Sequence, residues 1–369
     1  METISVHGAP SEYILKEGIL DLLESKLLER GIQKALVVTG RKSWDAVKPF
    51  WPDFNQITCG QYTYSGECSF EEIAAIRSLV DEKGYEAVIG VGGGKVLDLA
   101  KAVCHEAKRQ AILIPTLASN CAPWTPLSVL YDGAGRFIRY DIYPVCTSLL
   151  LIEPELLVKA PLDMLIAGIG DTLAKWYEAD VQMAQIDPKP VPLQISHYTA
   201  RQCKDLLLQC TDGAINAVKS GKVNDDFIQV VETIIMYGGM VGGFGDHYGR
   251  IAGAHSIHNG LTALEEAHHL LHGEKVAYGI LVQLVLEGRM DEVERLLPFY
   301  EKLGLPSSLE QIGVSILEEE KVQAAAAKAA LPGESIHVMP NGPFKAEAII
   351  DAFHSLEQYS TTDAVRIVK

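Results

Sequence analysis

Through its first half the chain alternates short, uniformly apolar runs with longer stretches whose apolar residues recur every three or four positions. Uniform runs predict strands buried on both faces, and the longer spacing predicts helices with one apolar face. ALVVTG (35–40) is such a strand, ending in glycine. SFEEIAAIRSLVDEKG carries the helical pattern, opening with Ser69 and Glu72 at capping-box spacing and closing at Gly84. EAVIGVGGG, KVLDLAKAVCHEAK and AILIPTLAS then read as strand, helix and strand. That alternation predicts parallel strands joined by crossover helices. LSVL and FIRY flank YDGAGR (131–136) as the arms of a hairpin, and SLLLIEP (148–154) reads as a further strand.

From about residue 160 the short apolar runs stop. DTLAKWYEADVQMAQ, DDFIQVVETIIMYGGMVGG and KVAYGILVQLVLEGRMDEVERLL carry apolar residues at helical spacing, and EEEKVQAAAAKAALPGES is an alanine-rich helix stopped by Pro332 and Gly333. The pattern predicts an α/β domain over residues 1–160 and an all-α domain over 161–369. A site is expected in the cleft between them, where ligands commonly bind.

The 369 residues suffice for two domains of ordinary size, and 48% hydrophobic with 22% charged residues is a globular composition. No apolar run is read as reaching the roughly 18–20 residues of a membrane span. The opening METISVHGAP lacks a basic stretch followed by an apolar core, so a cytoplasmic protein without a membrane partner is expected. Seven cysteines without a CxxC pair point to reduced thiols. The net charge of −16, with no basic patch to offset it, argues against nucleic acid as a partner.

Two segments carry candidate chemistry. GVGGGKVLD follows a predicted strand and opens a predicted helix, placing Gly92, Gly93, Gly94 and Lys95 where a phosphate can meet helix N–H groups. It is not a GxGxxG fingerprint, and the alternative is a simple tight turn; the strand–turn–helix context favours a phosphate. The second segment, AHSIHNGLTALEEAHHLLHGEKVAYG, contains His255, His258, His268, His269 and His272. Residues three or four apart share a helix face, and imidazole is a common ligand of zinc. Spacing alone does not choose among the five. Asp171, in AGIGDTLAKWYEA, is expected at the start of a helix, as an anionic ligand or as an N-cap.

Together GVGGGKVLDLAK, IPTLAS…APWTPLSVLYD, AGIGDTLAKWYEA and AHSIHNGLTAL…HLLHGEKVAYG resemble the iron/zinc-containing alcohol and polyol dehydrogenases, within them the glycerol dehydrogenase branch. The resemblance spans nearly the whole chain. It implies a nucleotide-binding N-terminal domain, a helical C-terminal domain in the dehydroquinate synthase-like fold, a divalent metal, a nicotinamide cofactor and a homo-oligomer. On this sequence the implied metal ligands are Asp171, His255 and His272. The implied cofactor positions are Gly94, Lys95, Thr116, Ser119, Thr125, Leu127 and Tyr131. Iron-dependent relatives place a histidine one turn after the aspartate, where this chain has Lys175, and a three-ligand set with an open position suits zinc better than iron.

Two departures bear on specificity. Glycerol dehydrogenases carry an aspartate where this chain has Cys121, in SNCAPWTP. NAD-using relatives carry an aspartate after the first strand, where this chain has Gly40 followed by Arg41 and Lys42. Losing an acid and gaining two cations favours a 2′-phosphate, hence NADP(H) over NAD; the alternative is a solvated basic turn. With Cys121, Trp124 and Lys175, the pattern looks most like the hydroxycarboxylate dehydrogenase branch. Losing a carboxylate at Cys121 and gaining Lys175 would favour an anionic 2-oxo acid, unless Lys175 points away or pairs with Glu178 on the helix surface. Hydride transfer between NADP(H) and a small 2-oxo/2-hydroxy acid is therefore expected, with Lys175 on the substrate and His258 as proton relay. NAD-dependent glycerol or polyol oxidation and a dehydroquinate synthase-like lyase are the alternatives.

Overall fold

The computed structural model describes residues 3–133 and 135–367. Its eight strands are β1 (Tyr13–Leu15), β2 (Lys34–Thr39), β3 (Thr58–Thr63), β4 (Ala87–Gly92), β5 (Gln110–Pro115), β6 (Leu127–Tyr131), β7 (Phe137–Ile142) and β8 (Leu149–Ile152). Six form a parallel sheet in the order β1-β8-β5-β4-β2-β3, and β6 pairs antiparallel with β7. Every residue of β4 and β8 is buried, as their uninterrupted apolar sequences require of strands covered on both faces. Three helices follow β2, β3 and β4: α1 (Arg41–Val47), α2 (Phe70–Lys83) and α3 (Gly94–Ala107).

Local signals account for the boundaries. Ser69 Oγ accepts the Glu72 N–H at 3.3 Å, and Gly84 ends α2 in the left-handed region at φ 68°. The Glu72 carboxylate does not complete a capping box; it accepts from Ser65 N and Oγ, both at 2.9 Å. The β6–β7 turn closes with Asp132 N–H to Arg136 O, with Gly135 at φ 77°. Within it, Ala134 lies outside the described residues, as do positions 1, 2, 368 and 369 of the expected domains.

The chain forms two compact units. One comprises Ser5–Leu165 with Cys210–Gly243, and the other Ile166–Gln209 with the residues from Phe244 onward. Residues 210–243 join the sheet-bearing unit through specific contacts. Tyr13 Oη donates to Glu232 Oε1 at 2.8 Å, and Trp124 packs so closely on Gly239 that a Cβ there would lie 2.4 Å from its ring. The remaining long helices are α4 (Leu162–Met183), α5 (Val191–Ser220), α6 (Asp225–Gly249), α7 (Gly253–Leu261), α8 (His272–Leu286), α9 (Met290–Leu303), α10 (Glu319–Ala329) and α11 (Ala346–Ile367). Contrary to the expectation from apolar runs, α6 is long and apolar enough to cross a membrane, with 56% of its most apolar window buried inside the protein. Asp225, Asp226 and Glu232 interrupt its run, whereas Phe227, Val230, Val231, Ile234 and Ile235 are buried core residues.

In the sheet-bearing unit a buried ammonium organises the segment between β5 and β6. Lys101, on α3, donates to the carbonyls of Ala122 at 2.7 Å and Thr125 at 2.9 Å, and to that of Leu127. Its Nζ also lies 2.9 Å from Asp98 Oδ1, while Asp98 Oδ2 accepts the Val129 N–H. A desolvated cation is stable only with such a set of acceptors. Replacing it with an isosteric apolar chain strands the Asp98 carboxylate and three carbonyls. Lys101→Met is expected to lower unfolding free energy by about 3–5 kcal/mol, read as a lower urea midpoint with unchanged slope.

Candidate metal and cofactor sites

The glycine turn at the carboxyl end of β4 is built for close approach. Gly92 has φ +156°, and a Cβ on it would meet Val96 at 3.0 Å and Ser43 Oγ at 3.1 Å. Gly93 precedes α3, and a Cβ on Gly94 would lie 2.8 Å from Asn120 Nδ2. Gly92 takes a backbone conformation that side chains disfavour, while a Cβ on Gly93 would have ordinary room. Val96 N–H already donates to Gly93 O at 3.1 Å, and the N–H groups of Gly94 and Lys95 at the start of α3 are the ones that suit a phosphate. Thr116, buried just past β5, donates its N–H to Gly92 O at 3.1 Å. Ser119, Cys121 and Thr125 belong to the loop whose carbonyls Lys101 gathers, and Leu127 and Tyr131 bound β6. Lys95 Nζ lies 2.6 Å from Glu67 Oε1 and 5.0 Å from the Tyr131 ring centroid. Gly40 precedes α1 at the carboxyl end of β2, next to β4, and Arg41 and Lys42 are exposed in its first turn. Of the positions expected to meet a nicotinamide dinucleotide, Gly40, Gly92 to Lys95 and Thr116 thus fall at the carboxyl ends of the neighbouring parallel strands β2, β4 and β5, the end of an α/β sheet where ligands bind. Ser119 and Thr125 lie in the following loop, and Leu127 and Tyr131 on the antiparallel strand β6.

In the other unit, Asp171, His255 and His272 converge, each offering one ligand atom within 4.8 Å of the others. Asp171 Oδ1 faces His255 Nε2 at 3.5 Å and His272 Nε2 at 3.4 Å. Those separations exceed hydrogen-bond length, and Asp171 Oδ1 is a buried acceptor without a hydrogen bond among the described residues. They match the edges of about 3.3–3.4 Å that follow from a tetrahedral zinc with ligand bonds near 2.0–2.1 Å. The donor set therefore fits a divalent metal. Burial opposes ionisation of Asp171, but the Lys175 ammonium and the two imidazoles outweigh it and hold the carboxyl well below its ordinary range. Burial likewise opposes protonation of His255, but Glu178 and then Asp171 overcome it and push the imidazole up to about 9. A metal cation can satisfy the same negative field.

Helix packing sets this geometry. Asp171 does not open a helix: it lies well inside α4, which runs through Gly168 and Gly170, and Gly170 serves packing. A Cβ on Gly170 would be 2.6 Å from Gly273 O, and one on Gly273 would be 1.7 Å from Ala167 O, so α4 and α8 touch backbone to backbone. A Cβ on Gly279 would be 2.2 Å from Ala254 O, so α7 meets α8 in the same way.

The structure separates the histidines that spacing could not. His255 and His258 lie on α7 and His272 opens α8, with His258 Nε2 3.0 Å from His272 Nδ1. His268 and His269 are exposed on a one-turn helix, where His269 Nδ1 donates to Glu266 O at 2.6 Å. Sequence reasoning missed Glu178, which is buried and not on the helix surface where it would pair with Lys175. Its Oε2 accepts from His255 Nδ1 at 2.7 Å, and its Oε1 accepts the N–H groups of Ala252 at 2.7 Å and His255 at 3.0 Å. In the neutral ring this holds the proton on Nδ1, so that Nε2, 3.5 Å from Asp171 Oδ1, is the nitrogen left to bind a metal. Asp171, Lys175 and Glu178 stand at i, i+4 and i+7, the spacing of one helix face, which was the available signal.

The comparisons with known proteins agree with this architecture. The iron-containing alcohol dehydrogenase family matches residues 10–154. Hydroxycarboxylate dehydrogenase A of Escherichia coli (strain K12) is 37% identical over 91% of this chain and 93% of its own length. A glycerol dehydrogenase of Citrobacter freundii is 40% identical over 78% of each chain. The crystal structure of glycerol dehydrogenase from Schizosaccharomyces pombe superposes with TM-score 0.86 at 31% identity, covering 98% of this chain and 92% of that one.

The tight crossing generates a test. Gly273→Ala forces a methyl group into the Ala167 carbonyl and is expected to destabilise by about 3 kcal/mol or more. Gly333→Ala, which adds its Cβ in open space, is expected to change stability by less than about 0.5 kcal/mol. Urea unfolding of both variants reads the contrast.

Proposed function

The chain belongs to the iron-containing alcohol dehydrogenase family, a family of dehydrogenases acting on CH–OH groups, and from that premise we propose a specific reaction for it. It transfers a hydride between NADP(H) and a small 2-oxo/2-hydroxy carboxylic acid. The observation that carries this reading is Lys175, whose charge acts on both Asp171 and Glu178 and stands one helical turn from the proposed metal ligand.

Asp171, His255 and His272 would hold the ion, zinc by its preference for such a set. When bound, it supplies Lewis-acid polarisation of the substrate carbonyl and stabilises the developing alkoxide. The rest falls to the chain's own groups. Glu178 keeps the His255 ring oriented. Lys175 provides a cation for the substrate carboxylate, and Cys121 removes the carboxylate that glycerol dehydrogenases place at that position. Burial, with His272 and His255 beside it, keeps the His258 imidazole well below its ordinary range. It is therefore neutral and suited to taking up and returning a proton at Nε2 without storing one, while Nδ1–H stays on Asn259 Oδ1.

For the cofactor, Gly92, Gly93, Gly94 and Lys95 receive the pyrophosphate, and Thr116, Ser119, Thr125, Leu127 and Tyr131 complete the cradle. Arg41 and Lys42 oppose the positive end of the α1 dipole, with no acidic residue in that turn to offset them. A 2′-phosphate beside Gly40 would relieve both, which favours NADP(H) over NAD.

A second reading, NAD-dependent oxidation of glycerol or another polyol, is supported by the glycerol dehydrogenases among the relatives. A dehydroquinate synthase-like lyase needs a cationic phosphate pocket. Lys275 is a poor candidate for one, since its Nζ donates to the carbonyls of Ala267 and Leu270.

The reactions separate in a spectrophotometric panel. NADPH oxidation is expected with 2-oxobutanoate or 2-oxoglutarate, faster than with dihydroxyacetone; inert oxo acids alongside good glycerol oxidation would refute the reading. Lys175→Met is expected to raise KM for the oxo acid about tenfold or more and leave that for dihydroxyacetone unchanged. Arg41→Ala/Lys42→Ala is expected to raise KM for NADPH but not for NADH.

A further inference from the structure

Each imidazole of the proposed ligand set has a second nitrogen, and the two are handled differently. His255 Nδ1 meets a carboxylate directly, at Glu178. His272 Nδ1 meets a second imidazole, His258 Nε2, at 3.0 Å. His258 Nδ1 in turn lies 3.1 Å from Asn259 Oδ1, and Asn259 Nδ2 lies 3.0 and 3.2 Å from the two carboxylate oxygens of Glu334. The series ends, as the direct contact does, on a carboxylate.

Hydrogen-bond chemistry allows this series one direction only. An ionised carboxylate is purely an acceptor, so Glu334 must face the Asn259 amide NH2. The Asn259 carbonyl oxygen is thereby turned to His258 and can only accept, so the proton of neutral His258 sits on Nδ1. Its Nε2 then carries a lone pair and must accept from His272. His272 is left with its proton on Nδ1 and a lone pair on Nε2, the atom 3.4 Å from Asp171 Oδ1. Removing the carboxylate frees the amide to flip, and every later assignment becomes reversible.

We propose that Glu334 is a positioning residue for the metal site, fixing the tautomer of His272 through Asn259 and His258. Glu334 is far from Asp171 in sequence, and its hydrogen bonds with Asn259 lie two residues removed from the nearest proposed ligand; it acts by direction alone. The proposal rests on the assignment of Asp171, His255 and His272 as ligands, and the test separates the two.

Zinc affinity of the full-length protein is measured by competition with a chromogenic chelator, alongside thermal melting of the metal-free protein. Glu334→Gln is expected to weaken zinc binding about tenfold with the melting temperature unchanged. The double variant Asn259→Asp/Glu334→Gln moves the carboxylate one step nearer, where it still accepts from His258 Nδ1 while the new amide donates to it. It is expected to recover zinc affinity to within about twofold of the parent. A single variant that binds zinc like the parent would overturn the proposal. So would a weakened single variant that the exchange fails to rescue, because a purely structural defect has no reason to be repaired by moving a charge. Asp171→Ala serves as the control: full zinc binding there would sink the ligand assignment itself. Lost binding there with intact binding in Glu334→Gln would sink only the relay.

Discussion

The arrangement of the helical unit depends on how closely two helices approach a third. At Gly273 and Gly279, α8 offers α4 and α7 a surface with no side chain in the way, and contacts reach the carbonyls of Ala167 and Ala254. The three converging polar residues are the immediate neighbours of these contacts. Asp171 follows Gly170, His272 precedes Gly273 and His255 follows Ala254. The polar geometry is therefore tied to the backbone packing of these helices. A site held this way stands on rigid elements, and its precision is that of helix crossings and not of loops.

Desolvated ionic contacts do for the loops and rings what the glycines do for the helices. Lys101 gathers the carbonyls of Ala122, Thr125 and Leu127, and Glu178 holds both the ring and the backbone of His255. Burying such charges costs free energy that well-packed apolar residues would not. What they add is direction: an ammonium or carboxylate with several partners permits few alternative arrangements of them.

Much of this was readable from the chain. Uniform apolar runs marked the four central parallel strands, β2, β4, β5 and β8, because a strand covered on both faces has no polar side to display, whereas the edge strands β1 and β3 carry no such run and were missed. The order of strand, glycine turn and helix placed Gly92–Lys95 at the sheet's carboxyl edge. Where the reading departed from the structure, a local rule yielded to a tertiary one. Gly170, just before Asp171, looked like a helix start but is a contact point between helices. The segment of α6 was read as helical, but its acids hid that the helix is long and apolar enough to cross a membrane. Glu178 resembled one more surface acid, since burial is not written in residue type. The histidine cluster was visible, but only the fold distinguishes His255, His258 and His272 from the exposed His268 and His269.

The three converging side chains are unequally covered. Asp171 is 6% exposed and His255 13%, whereas His272 is 53% exposed. Two of them are thus covered by the helices that carry them, and the third faces water while its Nδ1 is held by His258 Nε2. His272 is therefore the first of the three that solvent, or a chelator dissolved in it, would meet.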